Sequence, residues 1–199
     1  MILVRHGATV WNAEGRYTTR TDIPLSQEGV EQARATAAAL ALEGIDRVFC
    51  SPLSRARTTG EIVAAAQRHG VPEVVVDERL IEIDAGPFEG LTPDEIEAGP
   101  LREAHALWRA DRDPVTPPGA ETLTAARDRA AAFFADVSSL PGTTLAATHG
   151  SLTRVLVASV VLAADPVAHR RLWLSNGHWV VVEHGDRPRL VAFNAGPSR

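Results

Sequence analysis

Short apolar segments alternate with helix-like segments along most of this 199-residue chain. Four of the apolar segments have the length and composition of buried β-strands: residues 1–5 (MILVR), 46–50 (DRVFC), 73–77 (EVVVD) and 143–148 (TTLAAT). Strands that alternate with helices form parallel sheets covered by those helices. We therefore predict an α/β fold, a three-layer α/β/α sandwich with a mostly parallel central sheet.

The segments between the strands show helical spacing of apolar residues. Ser26 is placed to cap a helix that ends before Gly44 and has one apolar face, formed by Val30, Ala33, Ala37 and Leu40. Residues 12–25 are predicted to form a loop, residues 56–69, 123–137 and 151–163 helices, residues 84–119 loops around one short helix near 93–110, and residues 177–193 a β-hairpin. No linker interrupts the pattern, so we predict one domain spanning residues 1–199.

The overall composition excludes several classes of partner. Apolar residues make up 45% of the chain and charged residues 23%, as in globular proteins. The net charge of −5 gives no general attraction to nucleic acid or to an anionic membrane, so we expect neither as a partner. The first residues (MILVRHG) do not have the pattern of a signal peptide, and no apolar run approaches the roughly 20 residues of a membrane span. We therefore expect a cytoplasmic protein.

Lysine and cysteine usage limits the chemistry that is available. All 20 basic residues are arginines, so the chain has no lysine nucleophile, Schiff-base lysine or P-loop lysine. Cys50 is the one cysteine, which rules out an internal disulfide and argues against a cysteine-rich metal site.

The tripeptide Arg-His-Gly occurs twice, at residues 5–7 and at residues 68–70. The second copy is predicted to form the last turn of a helix, where cations complement the helix dipole and Gly70 serves as the cap. That structural role accounts for it completely. The first copy follows a strand instead, and ligands of α/β sheets bind beyond the carboxyl ends of strands.

Two other predicted strands carry chemically similar residues at their carboxyl ends. Residues 143–148 run into His149 and Gly150, and residues 46–50 are followed by Arg55 and Arg57. Parallel strands present these ends at one edge of the sheet, together with helix N-termini that supply free backbone amides. Two guanidinium groups, imidazoles and amides suit a tetrahedral phosphate, although Arg57 also fits a surface or supporting position.

Several other chemistries are excluded by their missing motifs. The chain has no GxxxxGK[ST], GxGxxG, HExxH or GxSxG pattern, and its seven histidines show no metal-ligand spacing. Cys50 and Arg55 are separated by four residues, whereas a cysteine-phosphatase loop needs five, so Cys50 is expected to be a buried strand residue. We expect no metal and no cofactor, and His6 is left as the strong nucleophile for phosphoryl transfer.

Five segments together resemble a known family. LVRHGATVWN, CSPLSRARTTGEI, LIEIDAGPFEG, PPGAET and ATHGSLTRVL are similar, in this order, to the successive motifs of the histidine phosphatase superfamily, and they lie within residues 2–156. That superfamily includes cofactor-dependent phosphoglycerate mutases and many small phosphatases. The segment GRYTTRTDIPLSQEG resembles a subgroup that contains broad acid phosphatases and sugar-bisphosphate phosphatases.

The resemblance implies a role for individual residues. His6 would be the nucleophile that becomes phosphorylated, and Glu82 the general acid that protonates the leaving oxygen and then activates water. The phosphoryl oxygens would be held by Arg5, Asn12, Arg55, His149 and the backbone at Gly150. Cys50 stands where the family often has serine, and PPGAE replaces the commoner PGGES, which leaves the role of Glu121 open.

Three functions follow as hypotheses. The first is a metal-independent phosphatase of small anionic phosphomonoesters, such as sugar phosphates or phosphoglycerate-like metabolites, which acts through phospho-His6. The second is a phosphoglycerate mutase, against which we expect 199 residues to leave little room for a substrate-enclosing insertion. The third is a non-catalytic protein that binds a phosphorylated ligand.

Substrate specificity is expected to lie in residues 84–119, where Arg102, Arg109 and Arg112 are placed to meet an anionic substrate. The partner is expected to be a small phosphorylated metabolite, and the chain a monomer or a homodimer.

Overall fold

In the computed structural model, residues 1–110 and 114–197 are described, and six strands form one sheet. The strands are β1 (Ile2–Arg5), β2 (Ile45–Cys50), β3 (Val74–Val76), β4 (Thr143–Thr148), β5 (Trp179–Glu183) and β6 (Arg189–Ala195). Their order is β3-β2-β4-β1-β5-β6. β1 to β4 are mutually parallel, whereas β5 is antiparallel to β1 and forms a hairpin with β6. The four predicted parallel strands and the hairpin are confirmed.

Seven α-helices connect the strands in the described part of the chain. They are α1 (Val10–Ala13), α2 (Gln27–Leu40), α3 (Ser54–Ala65), α4 (Pro93–Glu97), α5 (Arg102–Trp108), α6 (Leu123–Ser138) and α7 (Gly150–Leu156). Short 3₁₀ turns occupy Glu78–Leu80, Gly86–Phe88 and Pro166–Arg171, and a π-helical turn (Val157–Val161) continues α7. Ser26 caps α2 as predicted, because its side chain accepts a hydrogen bond from the amide of Gly29.

The helices cover the two faces of the sheet, which confirms the three-layer sandwich. The alternation of side chains along β1 illustrates the arrangement: Ile2 and Val4 belong to the apolar cluster formed with α2 and α3, and Leu3 belongs to the cluster formed with α6 and α7. Both faces of the parallel strands are therefore buried, as expected for strands that read as continuous apolar runs.

The second Arg-His-Gly copy does not lie in a helix, so that part of the sequence prediction is wrong. α3 ends at Ala65, four residues before His69, which is exposed. The buried side chain of Gln67 donates hydrogen bonds to the carbonyls of Leu40 and Val63, and the amide of Arg68 donates to the carbonyl of Ala41. These contacts draw the chain toward the end of α2 and stop α3. Gly70 does adopt a positive φ of 125°.

The loop-rich segment contains two short helices instead of the single predicted helix near residues 93–110. Gly99 and Pro100 separate α4 from α5, because proline lacks an amide hydrogen and disfavours helical geometry in the residue before it. A small apolar cluster around Phe88 and Ile96, with Tyr17 and Trp108 packed against it, holds this segment to the rest of the molecule. Arg112 lies outside the described residues.

The other predicted helices and loop need only small corrections. The loop over residues 12–25 is preceded and partly overlapped by the one-turn helix α1, and the helix predicted over 151–163 changes from α to π geometry after Leu156. Within the described ranges, no helix is long and apolar enough to cross a membrane.

Candidate active site

The register of three neighbouring strands brings the candidate residues together. Arg5 pairs with Thr148, and Cys50 pairs with Ala147, so β1, β4 and β2 end at nearly the same level. The next residues, His6, Ser51 and His149, therefore leave the sheet side by side. The imidazole centroids of His6 and His149 are 5.1 Å apart, with the rings inclined at 64°.

The His6 ring is held in one orientation and is nearly inaccessible, at 3% exposure. Its Nδ1 donates a hydrogen bond of 2.6 Å to the carbonyl of Gly7, which leaves the lone pair on Nε2. Burial, followed by the positive charges of Arg5 and Arg55, lowers the pKa of His6 well below its ordinary value. His6 is therefore a neutral imidazole at physiological pH, the form in which Nε2 can act as a nucleophile.

The first Arg-His-Gly copy is locked against the start of α2. A Cβ atom added to Gly7 would lie 2.1 Å from the carbonyl oxygen of Gly29. The amide of Gly7 also donates to the Thr59 hydroxyl of α3 at 3.2 Å. Only glycine permits this close backbone approach, so the tripeptide requires Gly7 for packing against α2.

His149 is fully buried and uses only one ring nitrogen. Its Nε2 shares a hydrogen bond of 2.7 Å with the Ser51 hydroxyl, and its Nδ1 has no hydrogen-bond partner among the described residues. Burial is the largest cause that lowers its pKa well below the ordinary value, followed by its electrostatic interactions with His6 and Arg55. Ser51 was missed in the sequence analysis, although it follows β2 directly, the same signal that drew attention to His6.

Arg5 crosses the N-terminus of α7. Its Nη1 donates to the carbonyl of Leu174, and its Nε is buried without a partner in the described part of the chain. A Cβ atom on Gly150 would lie 3.1 Å from that Nε, so glycine at this position leaves room for the guanidinium. Burial lowers the pKa of Arg5 to about 10, which still leaves it charged at neutral pH.

Arg55, in the first turn of α3, is fully buried. Its two terminal nitrogens donate to the carbonyls of Thr21 (2.9 Å) and Thr19 (2.7 Å), and its Nε has no partner in the described ranges. The two carbonyls fix the plane of the guanidinium. Burial lowers the pKa of Arg55, but no carboxylate forms an ion pair with it in the described part of the chain.

The unpaired donors of these side chains point to an anion. Within the described residues, five buried side-chain nitrogen or oxygen atoms have no hydrogen-bond partner, and three of them are Arg5 Nε, Arg55 Nε and His149 Nδ1. Leaving such groups unpaired costs roughly 1–3 kcal/mol each, more when they are charged. A tetrahedral oxyanion beside His6 presents several acceptors at once and can satisfy all three.

Glu82 lies at the N-terminus of α7 and is buried, at 5% exposure. It accepts hydrogen bonds from the amides of Ile83 (2.8 Å), Ser151 (2.9 Å) and Leu152 (2.9 Å). His149, the N-cap residue, makes no side-chain cap bond, so Glu82 supplies the cap from another part of the chain. Two of these bonds end on Oε1 and one on Oε2, so Oε2 keeps a lone-pair position at which it can carry a proton.

Asn12 is linked to the backbone of His6 through Asn176, and its side-chain carbonyl already accepts two hydrogen bonds. Its Oδ1 accepts from the amide of Thr9 (3.1 Å) and from Asn176 Nδ2 (3.2 Å), and its own NH₂ group has no partner in the described part of the chain. Asn176 Nδ2 also donates to the carbonyl of His6 at 3.1 Å. Asn176 comes from a loop before β5, and nothing in the sequence indicated it.

Glu121 and Arg57 do not contact this group. Glu121 forms a two-point ion pair with Arg129 of α6 (2.7 and 2.9 Å), and it also accepts from Arg20 (3.2 Å). Arg57 is exposed and pairs with Glu61, one helical turn further along α3, at 3.5 Å. Glu121 therefore belongs to an ion pair that supports the fold around the site.

Cys50 is a buried strand residue, as expected. A Cβ atom on Gly60 of α3 would lie 2.3 Å from its sulfur, so the thiol fills the space that this glycine leaves. Burial raises the pKa of the thiol to about 12, which keeps it protonated. The described residues contain no group of three or more histidine, cysteine or carboxylate side chains that could hold a metal ion.

A cavity of about 260 Å³ adjoins Glu82. Its lining includes Ile83 and Ser151, whose backbone amides donate to the Glu82 carboxyl. The other lining residues in the described ranges are Tyr17, Thr19, Ala85, Trp108, Arg109, Leu123, Arg154, His169 and Arg170.

The fold and these contacts define an α/β protein with two buried histidines and two arginines whose Nε atoms are unpaired in the described ranges, all at the carboxyl edge of its sheet. The family model of the histidine phosphatase superfamily (branch 1) matches residues 1–196, and the chain belongs to that superfamily. The resemblance seen in the five sequence motifs is therefore confirmed.

Among the similar proteins, some are named as mutases and others as phosphatases. A 2,3-bisphosphoglycerate-dependent phosphoglycerate mutase of Parvibaculum lavamentivorans is 31% identical over 201 residues, which cover 96% of this chain and 93% of the relative. A mycobacterial glucosyl-3-phosphoglycerate phosphatase, solved with VO3, has a TM-score of 0.86 and 27% identity over 98% of this chain and 99% of its own. A phosphoserine phosphatase from Entamoeba histolytica, solved with 3-phosphoglyceric acid, has a TM-score of 0.83 and 26% identity over 98% and 95%.

The comparison removes the expectation that a mutase of this family would need a longer chain than this one. The relative named as a mutase is covered over 93% of its own length, so it does not differ from this chain by a large insertion. Chain length cannot separate the phosphatase and mutase hypotheses here.

Proposed function

We propose that this protein is a phosphatase that hydrolyses small anionic phosphomonoesters in two steps through a phosphohistidine at His6. The observation that carries the proposal is the buried, neutral His6 surrounded by the unpaired donors of Arg5, Arg55 and His149. Fixed cations and N–H groups around the phosphoryl group stabilise the charge that spreads over its oxygens in the transition state.

In the first step, His6 Nε2 attacks the phosphorus in line with the ester oxygen. The P–N bond forms, the P–O bond to the leaving alcohol breaks, and Glu82 gives its proton to the departing oxygen. In the second step, Glu82 takes a proton from water, the resulting hydroxide attacks phosphorus, and the P–N bond breaks to release phosphate and neutral His6. Placing Glu82 between the phosphate cradle and the adjoining cavity suits both proton transfers.

The proposal assigns the free amide and guanidinium donors to the phosphoryl oxygens. Arg5 Nε, Arg55 Nε and His149 Nδ1 are assigned to the oxygens, together with the NH₂ group of Asn12 and the backbone amide of Gly150, where α7 begins. A cytoplasmic location and a small phosphorylated metabolite as the partner belong to the same proposal.

The two Arg-His-Gly copies offer a matched experiment. His6→Ala should abolish hydrolysis of 4-nitrophenyl phosphate, whereas His69→Ala, the same change in the exposed second copy, should leave the rate as in the wild type. Trapping in base, followed by intact-protein mass spectrometry, should show one added phosphoryl group on the wild type and none on His6→Ala. Unchanged turnover in His6→Ala would refute the proposal.

A mutase is the second candidate, because the Parvibaculum relative carries that name at 31% identity. In a mutase, the phosphoryl group of phospho-His6 returns to another hydroxyl of the bound molecule instead of to water. Interconversion of 2- and 3-phosphoglycerate in the presence of 2,3-bisphosphoglycerate, at a rate above that of phosphate release, would favour this candidate. Tight binding of phosphate esters without any turnover would favour a non-catalytic binding protein.

A further inference from the structure

Glu89 is a partly buried carboxylate that the proposed reaction does not use. Both of its oxygens accept from the backbone amide of Thr19 at 3.0 Å, and Oε1 also accepts from the amide of Thr21 at 3.0 Å. The Thr19 hydroxyl donates to Oε2. Glu89 forms no ion pair in the described part of the chain. Its contacts therefore hold the loop around residues 19–21 and not a basic side chain.

The same two threonines hold Arg55 through their carbonyls. Arg55 Nη2 donates to the carbonyl of Thr19 at 2.7 Å, and Nη1 donates to the carbonyl of Thr21 at 2.9 Å. Each threonine thus gives its amide to the carboxylate of Glu89 and its carbonyl to the guanidinium of Arg55. Hydrogen bonds to charged groups are the shorter and stronger ones, so the loop is held between an anion on one side and a cation on the other.

The guanidinium of Arg55 depends on this loop for its orientation. It is fully buried, and its donors have no other hydrogen-bond partner among the described residues. Asp22, at the end of the loop, accepts from the amide and the hydroxyl of Ser54 at 2.8 and 2.7 Å, which ties the loop to the start of α3. A shift of the two carbonyls would therefore tilt the guanidinium and move Nε, the atom that the proposed function assigns to a phosphoryl oxygen.

The backbone that carries Glu89 is fixed without the help of Arg55. The amide of Glu89 donates to the carbonyl of Gly86 at 3.1 Å. The amide of Gly90 donates to the carbonyl of Tyr17 at 2.9 Å, and the amide of Tyr17 donates to the carbonyl of Leu91 at 3.0 Å. Glu89 is thus a fixed point against which the following part of the loop is placed.

We propose that Glu89 is a positioning residue that aims Arg55 at the phosphoryl group. It acts through residues 19 and 21, whose amides it binds and whose carbonyls set the plane of the guanidinium. This inference rests on the proposed function, because that function assigns Arg55 Nε to the phosphate. Glu89 itself takes no part in proton or phosphoryl transfer.

A double-mutant cycle tests this coupling. Glu89→Ala removes the acceptor of both amides and should lower kcat/KM for 4-nitrophenyl phosphate about 10- to 100-fold, as expected when a substrate-binding group is misplaced by up to an ångström. Glu89→Gln keeps one oxygen for the two amides and should lose less. Beside Arg55→Met, neither change should lower kcat/KM any further, because the guanidinium that Glu89 places is already absent.

The affinity for inorganic phosphate is a second readout, and it needs no turnover. Isothermal titration calorimetry should show a weaker affinity in Glu89→Ala than in the wild type, and no such difference beside Arg55→Met. The matched control is Glu95→Ala, which breaks an ion pair of 2.8 Å between α4 and Arg16 but does not touch residues 19–21. It should keep the kcat/KM and the phosphate affinity of the wild type.

The outcomes separate the two proposals. Wild-type kcat/KM and phosphate affinity in Glu89→Ala, or losses of equal size with and without Arg55, would refute the positioning role. If Glu89→Ala does not fold, the same comparison is made with Glu89→Gln, where full activity would refute the role. If the wild type binds phosphate but hydrolyses no ester, the proposed function fails while the affinities still test Glu89. If it does not bind phosphate at all, both proposals fail.

Discussion

The guanidinium of Arg129 forms a two-point ion pair with Glu121, with Nε 2.7 Å from Oε1 and Nη2 2.9 Å from Oε2. Its third nitrogen, Nη1, donates to the carbonyls of Arg79 and Ile81 at 2.7 and 2.6 Å. These carbonyls belong to the short segment that leads directly into Glu82. The ion pair therefore fixes the backbone that carries the proposed general acid, although neither of its members reaches His6.

A substitution in this ion pair should slow the hydrolysis of esters with a poor leaving group more than that of esters with a good one. In Arg129→Gln we expect the hydrolysis of an alkyl phosphate to fall about 10-fold further than that of 4-nitrophenyl phosphate, because only the alkoxide needs protonation by a well-placed acid. Steady-state kcat values for the two esters provide the measurement. Arg127→Gln, the same change in an exposed ion pair with Asp128 on α6, is the control. Equal losses for both esters would mean that the pair contributes stability alone.

Buried neutral histidines should make the protein sensitive to acid. The pKa values of His6 and His149 lie well below 6.5, and burial lowers that of His169 to about 4. Below pH 6.5 the unfolded chain binds protons that the folded chain excludes, so the free energy of unfolding falls as the pH falls. The slope reaches about 1.4 kcal/mol per pH unit for each such histidine and continues to the folded-state pKa.

Urea titrations at pH 7.5, 6.5 and 5.5 in a phosphate-free buffer measure this slope. His149→Asn should reduce the slope by the contribution of one buried histidine, up to about 1.4 kcal/mol per pH unit. His69→Asn is the matched control because that ring is exposed. A free energy of unfolding that stays constant over this range contradicts the burial of the rings as neutral imidazoles.

The parts of the site that the sequence predicted are those at strand ends. His6 and His149 follow strands whose apolar runs are unmistakable, and parallel pairing makes such ends coincide without any knowledge of side-chain contacts. The end of α3 was misplaced because it depends on Gln67, whose partner Leu40 on α2 is distant in sequence. Helix propensity and the spacing of apolar residues contain no information about such a contact.

Residues that act through loops were the ones that the sequence did not indicate. Asn176 reaches the carbonyl of His6 from 170 positions away, from the loop before β5. Glu82 was placed through family resemblance, yet its position as the cap of α7 could be found only in the structure. Long-range contacts of this kind depend on tertiary packing, which local propensity does not specify.

Inorganic phosphate should stabilise the folded protein, since it supplies acceptors for Arg5 Nε, Arg55 Nε and His149 Nδ1. Phosphate at 100 times its dissociation constant adds about 2.7 kcal/mol, which corresponds to a rise of about 5–11 °C in the melting temperature for a chain of this size. Thermal unfolding with phosphate, compared with chloride at equal ionic strength, provides the measurement. Arg55→Met should lose most of the rise and Arg102→Met should keep it. An equal rise with both salts would exclude a specific anion site.

Gly150 offers a test of Arg5 that leaves the fold intact. Gly150 is the first residue of α7, where alanine is the better helix former, so Gly150→Ala should not lower the melting temperature. The added Cβ would lie 3.1 Å from Arg5 Nε and 3.4 Å from its Cδ, which displaces the guanidinium by a few tenths of an ångström. Misplacement of a charged group on this scale should lower kcat/KM for phosphate esters about 10-fold.

Gly185→Ala, where the nearest atom is 3.8 Å away, is the matched control. Full activity in Gly150→Ala would show that the passage of Arg5 over the start of α7 is not what holds the phosphate.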